Sequence, residues 1–347
     1  MIRLTKLDEV ACAPTIPARE VLTRLNRSPY LFFIVLDEAG RLLGTITDGD
    51  VRRAILSGAG LDDPASRCMH REPITGLLGA DAENLKLLET VPFLPVADEA
   101  GVIVEVLVPR REPERIRHAV VMAGGPGTRL GERTREMPKS LLPVGDKPIL
   151  EHVLNCLEDA KVEEIFVAVH YLADQIEAFI AARNNRTAVQ VIREANRLGT
   201  AGALSRMPQP LTAPVLVING DVLTRVDFHS LKEFHHRHGY DGTIAVARHE
   251  VEVRFGVVYH DDGVFRGIDE KPTLHHFVAA GIYYLSPEFC ALVPPNEAMD
   301  MPDLLNLGRS VGLRIGLFPI HEYWLDVGRP HDLEAARREH GANNDGT

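Results

Sequence analysis

The spacing of apolar positions changes character near Arg117. Before that point, apolar runs come in pairs around a polar turn. FFIVL and LLGTIT flank Asp37-Glu38-Ala39-Gly40, and FLPVA and VIVEVLV flank Asp98-Glu99-Ala100-Gly101. Apolar runs on both sides of a Gly-ended turn predict β-hairpins, and the recurrence of one turn predicts an internal repeat. Each hairpin follows residues at helical spacing: Val21, Leu22 and Leu25 in the first copy, Leu85, Leu87 and Leu88 in the second. The first copy continues into a further helix, DVRRAILSG. One copy alone cannot bury both faces of its hairpin, so the two should pack together as one domain.

From His118 onward, strands alternate with helices. AVVMAGG, EEIFVAVHY, AVQVIRE and PVLVINGD read as strands. ILEHVLNCLEDA, opened by Pro148, reads as a helix with apolar positions at Leu150, Val153, Leu154 and Leu157; ADQIEAFIAAR and the short TAGALSRM are the other helices. Such alternation predicts a mostly parallel sheet covered on both faces. Ligands of such sheets gather at the carboxyl ends of the strands, where AGGPGTRL, Asp221 and Glu194 all fall. Between the two regions, PRREPER (Pro109 to Arg115) is charged and twice interrupted by proline, so it is the predicted linker. The predicted domains are residues 1–115 and 116–340.

Composition narrows the classes without naming one. At 347 residues two domains are expected, and 45% hydrophobic with 25% charged residues is a globular balance. A net charge of -11 argues against a nucleic-acid or anionic-membrane surface. The amino terminus has no apolar core of a signal peptide and no span suits membrane insertion, so cytoplasm is the expected compartment. Cys12, Cys68, Cys156 and Cys290 are scattered without metal-site spacing and read as packing thiols.

The loop in VVMAGGPGTRL (Val120 to Leu130) carries the chemistry. A dinucleotide fingerprint needs a third small residue where Leu130 stands and an immediate helix, which the proline-rich stretch after it disfavours. A Walker loop needs Gly-Lys-Ser/Thr, which is absent. What remains is a glycine loop whose backbone can approach a phosphate chain, with Arg129 and Lys139 supplying positive charge.

Gly124-Gly125-Pro126-Gly127-Thr128-Arg129-Leu130 followed by Pro138-Lys139 resembles the signature of the sugar-1-phosphate nucleotidylyltransferases. LGTAGAL (198–204), INGD (218–221), FGVV (255–258), DEKP (269–272), AGIYYLSP (280–287) and EYWLDVGRPHDL (322–333) are similar, in order, to further motifs of that family. Ser140 departs from it, standing where a second proline is usual. The resemblance implies a Rossmann-like, mostly parallel α/β domain. It also implies attack of a sugar-1-phosphate on the α-phosphorus of a nucleoside triphosphate, giving a nucleotide-sugar and pyrophosphate.

By the same resemblance, Arg129 clamps the triphosphate and Lys139 meets the α-phosphate, with Ala123, Gly124, Gly125, Gly127, Thr128, Glu194, Gly199 and Thr200 around the nucleotide. Asp221 and Asp326 hold Mg²⁺, while Gly256, Glu270, Lys271 and Gly281 form the sugar-phosphate pocket. Local readings exist for several of these: Asp221 as a strand-end turn residue, Asp326 as an Asx turn, Lys271 as a turn lysine. A carboxylate at Glu194 suits the N1–H and N2–H₂ donors of guanine, so GTP is the favoured substrate, with uridylyl, thymidylyl or cytidylyl transfer as alternatives. A nucleotide-sensing regulatory protein that has lost chemistry is the contrasting class.

Residues 1–115 resemble a pair of cystathionine-beta-synthase (CBS) motifs, chiefly through Gly44-Thr45-Ile46-Thr47-Asp48-Gly49-Asp50. The resemblance implies a small α+β module that assembles the oligomer or binds an adenine nucleotide, with Thr47 and Asp50 on the ribose. The alternative is that Asp48 or Asp50 caps the following helix. The second copy has Pro109-Arg110-Arg111 where Thr and Asp should follow, so one ribose site is expected at most. His235, His236 and His238 read as a solvated helix end before Gly239. The tail after Ala336 lacks hexapeptide repeats, which argues against a fused β-helix domain.

Overall fold

The computed structural model describes residues 1–25, 27–110 and 115–342. The chain divides into two compact units, Met1–Glu114 and Arg115–Thr347. Residues 111–114 of the predicted linker lie outside the described residues.

In the smaller unit each Asp-Glu-Ala-Gly turn closes a hairpin. Phe32–Leu36 pairs antiparallel with Leu42–Thr47, and Leu94–Ala97 with Ile103–Val108. Both turns are held alike: Asp37 Oδ1 accepts from the amides of Ala39 and Arg41, and Asp98 Oδ1 from those of Ala100 and Val102. The repeats meet at these turns, where the Ile103 amide donates to the Gly40 carbonyl (3.0 Å), and at a stack of Phe32 on Phe93 with centroids 3.8 Å apart. The amino-terminal strand Ile2–Leu4 joins the second copy, pairing with Ile103–Val108. One expected core position fails: Leu85 is exposed, and the buried inward position of helix Asp81–Leu88 beside Leu88 is Asn84. Asn84 bonds the Leu77 backbone through both its oxygen and its amide, which satisfies a polar side chain in that core.

The larger unit is built on a seven-stranded sheet. Its order is Ala188–Arg193, Glu164–Val169, His118–Met122, Val215–Asn219, Thr273–Leu285, Gly242–Glu252, Ile315–Pro319. The first four are mutually parallel, and only Thr273–Leu285 runs against its neighbours. Alternate side chains serve opposite faces. Ala119, Val121, Ile165, Val167, Leu216 and Ile218 enter one core with helices Ile149–Asp159, Ala173–Ala182 and Phe228–His238. Val120, Phe166, Val215 and Val217 enter the other, under helix Met301–Ser310. Helix Ile149–Asp159 buries Leu150, Val153, Leu154 and Leu157, as its spacing predicts.

Three elements differ from the sequence reading. The stretch after the glycine loop is not wholly irregular, because Thr128–Thr134 and Lys139–Leu141 form 3₁₀ turns, the first broken at Gly131. The TAGALSRM segment is a 3₁₀ turn over Gly202–Arg206 that starts two residues after Thr200. His235 is buried rather than solvated, because its Nδ1 bonds the Thr243 hydroxyl (2.9 Å) of the neighbouring strand. No helix among the described residues is long and apolar enough to cross a membrane.

Candidate active site

The carboxyl ends of the parallel strands open into a cavity of about 300 Å³. Its wall includes Gly124, Gly125, Gly127, Thr128, Arg129, Lys139, Glu194, Gly199, Thr200, Asp221 and Asp326. The strand order Ala188–Arg193, Glu164–Val169, His118–Met122, Val215–Asn219 gathers Glu194, Gly124 and Asp221 here, although they lie far apart in the chain.

The loop is shaped by what glycine omits. At Gly127 the backbone is left-handed (φ +62°), and a Cβ would stand 3.0 Å from both Lys139 Cβ and Thr134 Cγ2. The Thr134 hydroxyl donates to the Gly127 carbonyl (3.0 Å), tying the loop to the turn after it. Ala123 is buried beneath the loop and is absent from the cavity wall; Gly220 packs against it so closely that a Cβ there would meet Ala123 Cα at 3.1 Å.

Lys139, 9% exposed, is hydrogen-bonded through Nζ to Asp221 Oδ2 and stands 4.0 Å from Asp326 Oδ1. The two carboxylates are brought together by a short antiparallel ribbon, Val222–Thr224 on Trp324–Asp326, with Val222 opposite Asp326. The Val327 amide closes it by donating to the Asp221 carbonyl (3.0 Å). Burial and then the Asp221 charge raise the Asp326 pKa, against the lowering influence of Lys139 and Arg129. The Oδ1 atoms of both aspartates are buried and accept no hydrogen bond among the described residues. Two adjacent carboxylates with orphaned oxygens suit a hard divalent cation that takes its other ligands from phosphate and water. Arg129 borders the same spot, since a Cβ on Gly328 would lie 3.4 Å from Asp326 Oδ1 and 3.5 Å from an Arg129 Nη.

Across the cavity, Glu194 is 6% exposed and its pKa is raised by burial. Its Oε2 accepts from the Leu198 amide (3.0 Å). Thr200 lines the wall, but its amide is spent on Asp300 Oδ1 (2.9 Å), and its hydroxyl accepts from the Met301 amide (2.7 Å) at the start of helix Met301–Ser310. Sequence spacing suggests these amides as base readers; the distant Asp300 takes the one on Thr200. Gly199 (φ +80°) is required by the same packing, because a Cβ would strike the Met299 carbonyl at 2.6 Å.

The structure does not bring Gly256, Glu270 and Lys271 into this wall. They lie on an exposed extension, where Gly242–Glu252 and Thr273–Leu285 run past the sheet and a hairpin, Val257–Asp261 with Val264–Asp269, intervenes. Gly256 faces Glu270 closely, with a Cβ 3.0 Å from Glu270 Oε2. Gly281 (φ +70°) touches the site indirectly by making room for Asn219, which lines the cavity. Sequence reasoning passed over Asn219 and Arg197. Asn219 sits inside the quoted INGD, and Arg197 lies three residues after Glu194, whose pKa its charge lowers.

In the smaller unit, Thr47 and Asp50 are engaged with each other. The Thr47 amide (2.7 Å) and hydroxyl (2.6 Å) donate to Asp50 Oδ2, and the Asp50 amide returns to Thr47 Oγ1 (3.3 Å), a capping box on helix Asp48–Leu56. Asp48 instead accepts from buried Arg52 (2.6 Å).

Comparison with known proteins identifies the family of the larger unit. The family model described as Nucleotidyl transferase matches residues 118–342, and that of the CBS domain matches residues 3–57. The catalytic subunit beta of mannose-1-phosphate guanylyltransferase from Drosophila pseudoobscura pseudoobscura is 32% identical over 223 residues, covering 62% of this chain and 60% of that protein. Its counterpart from Danio rerio is 30% identical over 224 residues, covering 62% of each. The chain thus spans about 60% of the length of these curated relatives. Among solved structures, HddC from Yersinia pseudotuberculosis superposes with a TM-score of 0.53 at 27% identity, over 65% of this chain and 99% of that one. HddC complexed with GMP-PN gives 0.52 at 26% identity over the same shares. With a family model matching most of its length, the chain belongs to the nucleotidyl transferase family and carries a CBS domain at its amino-terminal end.

Proposed function

We propose that the chain transfers a nucleotidyl group from a nucleoside triphosphate, GTP by preference, to a sugar-1-phosphate, releasing pyrophosphate and a nucleotide-sugar for glycan precursor synthesis. The observation that carries this reading is the cluster of Lys139, Asp221 and Asp326 facing the Gly124–Thr128 loop across one cavity. The attacking phosphate monoester has a second pKa of about 6, so it is largely an oxyanion at neutral pH and needs no general base. The task left to the protein is to align two anions and offset the charge that develops between them.

On this reading each residue is assigned a role. The glycine loop presents its backbone to the triphosphate, and Arg129 offsets its charge. Lys139, held by Asp221, is the cation for the α-phosphate. Asp221 and Asp326 would hold Mg²⁺, which when bound supplies further charge compensation to the phosphate oxygens. Glu194, buried beside Arg197, is the base-facing carboxylate. The guanine preference draws on that carboxylate and on the names of the relatives, guanylyltransferases among them. Lys271 and Glu270, on the exposed extension, are assigned the sugar phosphate and sugar hydroxyls. The CBS unit is assigned adenine-nucleotide binding and assembly of a homo-oligomer, and the reaction is placed in the cytoplasm.

A matrix of the common nucleoside triphosphates against a panel of sugar-1-phosphates tests this directly. The expected result is pyrophosphate release for one or a few pairs, GTP among them, with the product mass confirming a nucleotide-sugar. Release with another base alone would overturn the guanine preference, and release from no pair would overturn the activity.

A further inference from the structure

Arg197 lines the same cavity as the glycine loop, yet the proposed reaction gives its charge no task. The other two cations of the wall stand at the metal carboxylates. Lys139 bonds Asp221, and an Arg129 Nη lies close to Gly328, beside Asp326. Arg197 is exposed and forms no hydrogen bond or ion pair among the described residues.

The charges acting on the two buried carboxyls divide the cavity into two ends. Burial and then Asp221 raise the Asp326 pKa, with Lys139 and Arg129 opposing them. Burial raises the Glu194 pKa, opposed by the Leu198 amide and by the charges of His170, Arg197 and Arg206. Arg197 therefore belongs to the Glu194 end, away from the cations of the metal end.

Its backbone is fixed there. Glu194 Oε2 accepts from the Leu198 amide (3.0 Å), closing residues 194–198 into a loop that carries Arg197. Leu198, 3% exposed, is anchored in turn where its carbonyl accepts from the Met299 amide (2.9 Å). A carboxylate and a guanidinium thus share one short loop and one cavity without an ion pair joining them. The amides of Leu198 and Thr200 are spent on Glu194 and Asp300. A base seated here therefore finds its donors in the Gly199 amide and the Arg197 guanidinium.

Guanine presents two adjoining edges of opposite demand. Its N1–H and N2–H₂ donate, which suits a carboxylate, whereas O6 and N7 accept, and a guanidinium fork meets both at once. Adenine carries N6–H₂ in place of O6, and pyrimidines have no N7. We infer that Arg197 is a specificity-determining residue that reads O6 and N7 of a guanine base while Glu194 takes N1–H and N2–H₂. The inference rests on the guanosine reading of the nucleotide site and extends it to the second edge of the base.

The test removes one base atom at a time. Binding of GTP, of 7-deaza-GTP, which lacks the N7 acceptor, and of ITP, which lacks the N2 amine, is measured by isothermal titration calorimetry. The full chain is used with Mg²⁺ and no sugar-1-phosphate. Wild type is expected to bind GTP about ten-fold or more tighter than either analogue. In Arg197→Ala the advantage of GTP over 7-deaza-GTP should fall to about two-fold or less, while its advantage over ITP is kept. Because Arg197 is exposed and unpaired, the melting temperature should hold. Equal losses for GTP and 7-deaza-GTP in the variant would put Arg197 on the phosphates, and unchanged affinities would leave it in solvent; either overturns the assignment. A wild type that binds 7-deaza-GTP as tightly as GTP overturns it too. Binding and pyrophosphate release with another base alone would remove the guanosine reading and this inference with it. An Arg197-dependent preference for GTP, without pyrophosphate release from any substrate pair, would leave the base contact standing and remove the transferase reading instead.

Discussion

Gly127 shows how one missing Cβ positions a charged group. Its left-handed backbone and the 3.0 Å approach to Lys139 Cβ leave no room for alanine. Gly127→Ala should cost about 1–2 kcal/mol from the backbone alone, and pyrophosphate release should fall much further because Lys139 is displaced. Thermal melts with steady-state rates check this, and a variant of normal rate would show that the loop does not set Lys139. The glycine spacing was readable because it is local. The use of the Thr200 amide was not, because Asp300 lies 100 residues away. His235 was misread for a similar reason, its partner Thr243 belonging to the next strand. Burial and then the charge of His236 lower the His235 pKa from 6.5 to about 4. The unfolded chain therefore takes up this proton first, and stability present above about pH 6.5 is lost as pH falls toward 4. His235→Gln should flatten that slope in melts across this window, and an unchanged slope would mean that other groups cause it.

Helix Ile149–Asp159 is held by two kinds of contact with different legibility. Its apolar stripe was plain from spacing, and Leu154→Ala should cost about 2–5 kcal/mol in chemical denaturation. Its carboxyl end was not: Glu158, with a fully buried side chain, accepts from Arg183 (2.6 and 2.9 Å) and from both the amide and the guanidinium of Arg186. Burial pushes the Glu158 pKa up, but these bonds outweigh it and bring it from 4.5 down to about 2. Its stabilisation is therefore complete above about pH 4.5 and disappears as pH falls toward 2. Glu158→Gln should cost about 3–5 kcal/mol at neutral pH, since it leaves buried Arg183 without its main counter-charge. The sheet was readable in its four parallel strands and less so beyond them. Thr273–Leu285 inserts antiparallel between strands that precede it in the chain, a pairing no local pattern specifies.

Across the whole chain, the repeat of hairpin turns and the alternation of strand and helix announced two regions because each reflects a burial period of its own. The smaller region shows the limit of motif reading. Thr47 and Asp50 hold each other in a capping box, so a ribose there must compete with that box. If the site takes an adenine nucleotide, ADP or ATP titrated into the full chain should bind, and Asp50→Ala should abolish binding while costing about 0.5–2 kcal/mol from the lost cap. Equal binding by wild type and variant would leave Asp50 a capping residue alone. The central claim concerns the larger region and reduces to one assay: pyrophosphate release from the best triphosphate and sugar-1-phosphate pair, by wild type, Lys139→Ala and Asp221→Asn. The geometry predicts a loss of at least about 100-fold in each variant with the fold intact; near-normal turnover in both would contradict it.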